Sequence, residues 1–184
     1  MPPKFDPMTE KRILAAAEKL WRSRGERGLT LRAVAREART TTPTVYRRFR
    51  NKQALYLALG EKFRQDLTEV CLGAPTPEEF CRRYLRFAED HPNEYRLLWN
   101  AWGDTVPSED VPRPIRDWFL AQLANRFGGK AESYLPAFYG VMLLSHGASM
   151  LLTGPISEFY RQEIYKSFPS ISDALLRNAP LFQL

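Results

Sequence analysis

Cysteine and histidine are scarce in this chain of 184 residues, which has two of each. Cys71 and Cys81 are too few for a disulfide scaffold or a structural zinc site. They fit a reducing cytoplasm as the expected compartment, where they read as buried, inert thiols, with a redox switch as the alternative. His91 and His146 lie far apart in sequence and leave little material for a catalytic histidine pair or a metal centre. No P-loop and no Gly-x-Gly-x-x-Gly occurs. The carboxylate pairs Glu78-Glu79, Glu89-Asp90 and Glu109-Asp110 read as solvated helix starts or loops. No enzyme activity, metal or cofactor is therefore expected. No apolar run reaches the ~18 residues of a membrane span. Met1–Asp6 lacks the apolar core of a signal peptide and reads as a short tail. Strand signals, internal repeats and low-complexity tracts are absent too.

What the chain does have is an uneven charge. Residues 1–52 hold 14 of the 27 Lys and Arg but only 5 of the 21 Asp and Glu, a local net of +9. Residues 53–184 hold the other 13 and 16, a net of −3. The whole excess of +6 comes from the first 52 residues. Such asymmetry points to a nucleic-acid-binding head on a near-neutral body. The bland alternative is a solvated basic face.

Apolar spacings of three and four, punctuated by Gly and Pro, predict an all-α chain of about nine or ten helices. A first helix is expected from Thr9, its cap, to Arg24, with Ile13, Ala17, Leu20 and Trp21 buried and Gly25 breaking it. Thr30 caps a short second helix, Leu31–Ala38, with Leu29 and Val34 as a hydrophobic staple. A turn, Arg39–Thr42, leads to a short third helix with Pro43 in its first turn. Asn51 caps a fourth helix, 52–72, that connects two expected domains, 1–52 and 53–184. Gly103–Pro114 reads as a polar, Pro-rich loop. Tyr134–Thr153 is the most apolar helix, and Ile156–Phe168 and Ile171–Asn178 flank Pro169 as the last two.

Two short helices joined by a turn after a longer supporting helix make a helix-turn-helix pattern. At about 100° per residue, Val45 and Phe49 share the core side of the third helix. The opposite face carries no acid. It presents Thr42, Pro43, Thr44 and Arg47 as candidates for base readout. Thr30, Tyr46, Arg48, Arg50 and Lys52 are candidates for phosphate contact, with Thr30 and Thr42 at helix starts where backbone N–H groups face an anion.

Thr30-Leu-Arg-Ala-Val-Ala-Arg-Glu-Ala38, Thr41-Thr-Pro-Thr-Val-Tyr-Arg-Arg-Phe49 and Lys52-Gln-Ala-Leu55 resemble the N-terminal domain of TetR-type transcriptional repressors over residues 9–60. Arg39 stands where that family usually has glycine, Thr40 where it has an apolar residue, and Arg48 where it commonly has histidine. The resemblance implies an all-α homodimer. Its heads bind palindromic operator DNA, and its C-terminal ligand-binding and dimerisation domain takes a small effector that shifts the heads apart. Glu89-Asp-His-Pro-Asn-Glu-Tyr-Arg-Leu-Leu98 and Leu144-Ser-His-Gly-Ala-Ser-Met-Leu-Leu152 resemble a subclass with a His-Gly pair in a late helix.

The body is rich in aromatics. Tyr84, Phe87, Trp99, Trp102, Trp118, Phe119, Phe138, Tyr139 and His146 are candidates for a pocket that takes a hydrophobic or aromatic effector. Simple core filling is the alternative for each. Phe159, Tyr160, Ile164, Leu175 and Leu176 are candidates for a dimer interface, or else pack within the subunit. The expected function is a ligand-responsive, bacterial, cytoplasmic regulator of transcription with no membrane partner. A non-specific architectural DNA binder and an orphan regulator without a ligand stay open beside it.

Overall fold

A computed structural model describes residues 7–102 and 113–183. The expected tail Met1–Asp6 and most of the expected loop Gly103–Pro114 lie outside the described residues. These residues form nine α-helices and no strand: α1 (Pro7–Gly28), α2 (Leu31–Glu37), α3 (Thr42–Arg48), α4 (Lys52–Leu72), α5 (Pro77–Asp90), α6 (Pro92–Trp102), α7 (Pro114–Phe127), α8 (Leu135–Thr153) and α9 (Glu158–Arg177). Two short 3₁₀ turns, Ala131–Tyr134 and Ala179–Phe182, complete them. The fold is all-α, as the periodicity predicts.

Local chemistry accounts for most boundaries. Gly25 leaves the helical region at φ +58°, where the sequence places the end of the first helix, although helical turns resume as far as Gly28. α1 begins at Pro7, so Thr9 lies inside it rather than capping it. Asn51 caps α4 through a 2.8 Å bond from Ala54 N–H to its side-chain oxygen. Thr76 caps α5, accepting from Glu79 N–H at 3.2 Å.

The two helices expected around Pro169 are one: α9 runs straight through that residue. Proline removes one N–H from the helix ladder, and Ser172 Oγ donates to the Pro169 carbonyl at 3.0 Å just beyond it. The absence of an 18-residue apolar run is also corrected. The stretch Ala131–Thr153 is long and apolar enough to cross a membrane by length and composition. In the fold, α8 packs against α5, α7 and α9.

Of the described residues, 7–64 and 93–102 form one compact unit, and 65–92 and 113–183 form a second. The first is built on Ile13, Ala17, Leu20 and Trp21 of α1, joined by Leu29, Val34, Val45, Phe49, Leu55, Leu59, Phe63, Tyr95 and Leu97, all buried. Three contacts attach α6 to this unit. Trp21 Nε1–H donates to the Asn93 carbonyl at 2.9 Å. Arg22 Nε meets the buried Glu94 carboxylate at 2.9 Å. Gly60 lets α4 approach α6 closely, because a Cβ there would lie 2.6 Å from that of Ala101.

The second unit centres on α5 and α8. The buried stripe of α8 is Phe138, Val141, Ser145, Ala148, Ser149 and Leu152, at the three- and four-residue spacing of one helix face.

Candidate nucleic-acid interface

The helix-turn-helix is assembled from its caps. Thr30, extended at φ −121°, accepts from Ala33 N–H at 3.1 Å and starts α2. Leu29 and Val34, which flank that cap, are fully buried, as a hydrophobic staple requires. α2 ends in a Schellman closure. Thr40 N–H donates to the Ala35 carbonyl at 2.9 Å, and Arg39 N–H donates to the Arg36 carbonyl at 3.2 Å. Arg39 takes the left-handed position between them, at φ +51°. Such a backbone costs a non-glycine residue roughly 1 kcal/mol. The turn thus keeps the path a glycine would give it. Arg12 Nη2 fastens it to α1 by donating to the Ala38 carbonyl at 3.1 Å.

Thr41, not Thr42, caps α3: its Oγ1 accepts from Thr44 N–H at 3.3 Å, and Thr42 is the first helical residue. Val45 and Phe49 are buried on one side of α3. Pro43, Tyr46 and Arg47 are exposed, and Thr42, Thr44 and Arg48 are half-buried. Thr41, Thr44 and Arg47 form a polar row, with a 2.9 Å contact between the two threonine hydroxyls and a 3.2 Å bond from Arg47 Nη2 to Thr44 Oγ1. Thr30, Arg50 and Lys52 are exposed around this helix, at the starts of α2 and α4 and in the link between α3 and α4. Glu37, in the last turn of α2, is engaged by Lys19 at 2.5 Å, and the hydrogen bond from that ammonium holds its carboxyl below the usual range. The α3 face therefore combines hydroxyls, an aromatic ring and guanidinium groups without a carboxylate, the chemistry that meets base edges and phosphates.

The aromatic candidates of the body do not form one group. Phe80, which is not among the pocket candidates, is the hub. Its ring lies 6.2 Å from Tyr84, 5.7 Å from Trp118 and 5.5 Å from Phe119. Phe119 continues to Phe138 at 5.6 Å, and Phe138 to Tyr139 at 5.3 Å. Phe87 pairs instead with His91 at 5.0 Å. Trp99 belongs to the first unit, beside Tyr95 at 6.3 Å. The Trp102 side chain lies outside the described residues. His146 is half-buried on α8, and desolvation lowers its pKa.

Cys71 and Cys81 are free and buried. Burial pushes each thiol up to about 12, and a Ser145 hydroxyl near Cys81 pulls the other way. Among the interface candidates, Phe159 and Tyr160 are 68% and 65% exposed, while Ile164 and Leu175 are half-buried. Leu176 is fully buried in its own unit and serves as core, a correction to its expected place in an interface.

The capped helices α2 and α3 and the basic, acid-free face of α3 make this part of the chain a helix-turn-helix of the DNA-binding kind. Within it, residues 13–59 match the model of the bacterial regulatory proteins, tetR family. Solved structures resemble the whole chain at low identity and share its fold. A variant TetR from Acinetobacter baumannii AYE in complex with minocycline is 20% identical, with a TM-score of 0.69 over 98% of this chain and 100% of that one. The transcriptional regulator SCO7222, a TetR from Streptomyces coelicolor, is 19% identical, with a TM-score of 0.68 over 95% and 98%. The multidrug binding protein EbrR, complexed with imidazole, is 18% identical, with a TM-score of 0.57 over 95% and 93%.

Proposed function

We propose that this chain is a dimeric repressor that reads a palindromic operator through α3 and releases it on binding a small hydrophobic or aromatic effector. The observation that carries the reading is the α3 face itself, where Pro43, Tyr46 and Arg47 stand exposed opposite the buried Val45 and Phe49. Thr42, Pro43, Thr44 and Arg47 read bases, and Thr30, Tyr46, Arg48, Arg50 and Lys52 hold phosphates. The effector enters the second unit beside the rings around Phe80, in line with the minocycline and imidazole held by two proteins of this fold. The working dimer uses the exposed apolar residues of α8 and α9.

The test is selection of random duplexes by the purified protein, with binding of the winners followed against salt. Enrichment of a two-fold symmetric site, bound at least ~10³-fold more tightly than scrambled duplex, is the expected result. The recovered operator then serves to screen hydrophobic compounds for release. Enrichment of nothing, with a steep salt dependence alone, would favour an architectural binder instead.

A further inference from the structure

Arg39 is the only non-glycine residue with positive φ among the described residues. It fills the one position of the α2 closure that glycine normally takes, because a Cβ there crowds the neighbouring carbonyl. Nothing among the described residues explains an arginine at this point. The side chain is exposed, and among the described residues it has no hydrogen-bond or ion-pair partner. The nearest carboxylate in sequence, Glu37, is engaged by Lys19 across α1 and α2. Strain kept without an internal return is a mark of functional positions. What the side chain adds is a mobile positive charge. It stands two residues before Thr41, a chain distance of about 7 Å at most, and so borders the polar row Thr41, Thr44 and Arg47. A cation on the turn, off the helix face that carries Thr44 and Arg47, meets the DNA backbone rather than base edges.

We propose that Arg39 is a phosphate-binding residue for duplex DNA, a contact made by the turn itself in addition to those of α3. The proposal rests on the DNA-binding reading above.

The experiment compares the full-length protein with Arg39→Gly and Arg39→Lys. The probes are a duplex recovered from a random pool by the wild type and a scrambled duplex of equal length, each titrated across salt. Arg39→Gly is expected to bind both duplexes several-fold more weakly, by the same factor. Its slope of log affinity against log salt becomes shallower by about 0.9 for each protomer bound, about 1.8 for the dimer. Its Tm stays level or rises by about 2–4 °C, because glycine relieves the left-handed backbone. Arg39→Lys, which keeps the charge, retains affinity and slope. Wild-type affinity and slope in Arg39→Gly would overturn the proposal. So would a loss confined to the selected duplex with an unchanged slope, which marks a base contact. A lower Tm in Arg39→Gly would remove its premise. Failure of the wild type to enrich any duplex is a different result: it sinks the DNA-binding reading, and this proposal with it.

Discussion

Arg47 and His146 show how much a single side chain can decide. The Arg47 guanidinium is exposed on α3 and donates to the Thr44 hydroxyl at 3.2 Å. An arginine so placed suits the O6 and N7 acceptors of guanine. Arg47→Ala is expected to cost about 1–3 kcal/mol of binding per half-site and to relax preference at one base pair in each. Competition among single-base variants of the selected duplex measures this, and equal weakening across all of them would make Arg47 a phosphate contact. His146 gives a pH dependence. Desolvation lowers its folded pKa, while the unfolded chain titrates near the ordinary ~6.5. As pH falls through that value the unfolded state takes up a proton that the folded state resists, so stability declines towards the lower folded pKa. Denaturant unfolding at pH 8 and pH 5.5 should show this loss in the wild type and a smaller one in His146→Gln. Equal losses would mean that other groups carry the dependence.

Among the elements, the close approach of α4 and α6 depends on one missing side chain. A Cβ at Gly60 would sit 2.6 Å from Ala101 Cβ and 3.1 Å from Leu97 Cδ2, and an alanine methyl has no rotamer by which to retreat. Gly60→Leu should therefore destabilise the protein by about 2–3 kcal/mol, read as a lower midpoint in urea at an unchanged slope. A midpoint at the wild-type value would mean that α6 yields freely. This contact also marks where sequence reading stops. Caps and spacing reveal α2 and its staple, because Thr30, Leu29 and Val34 act within a few residues of one another. They do not reveal that α6 packs with α1, since Trp21 and Asn93 meet across 72 positions. Thr41 and Thr42 are equally good caps by composition, and only the extended backbone of Thr41 at φ −99° selects it. Pro169 reads as a helix break from its chemistry, but α9 continues through it. The aromatic candidates divide for the same reason: density along the chain says nothing of which rings meet. Phe80, one stripe residue among many, gathers Tyr84, Trp118 and Phe119, whereas Trp99 packs with Tyr95 in the other unit.

For the molecule as a whole, the proposed operator sets a geometric demand. One helix of seven residues reads only a half-site, and a symmetric site needs two such helices about 34–36 Å apart or at a multiple of that spacing. The second unit has a surface suited to a second copy. α8 buries Phe138, Ser145 and Ser149, while its other side leaves Tyr139, Leu143 and Met150 exposed, Leu143 by 73%. Gly140 and Gly147 on the same helix have open space where a Cβ would stand, so another backbone can approach closely. On α9, Phe159 and Tyr160 are exposed as well. These exposed apolar residues are the place where the proposed dimer would join. Leu143→Glu introduces a charge at its centre without disturbing the buried stripe. Sedimentation should then give a monomer at micromolar concentration, against a dimer for the wild type, with helical content unchanged. Affinity for the full palindrome should fall by more than tenfold, because two linked half-sites bind by effective concentration, while affinity for an isolated half-site stays level. A Leu143→Glu protein that remains dimeric would move the seam away from α8. A monomer that keeps full palindrome affinity would show that the two heads are joined on the DNA rather than through the body.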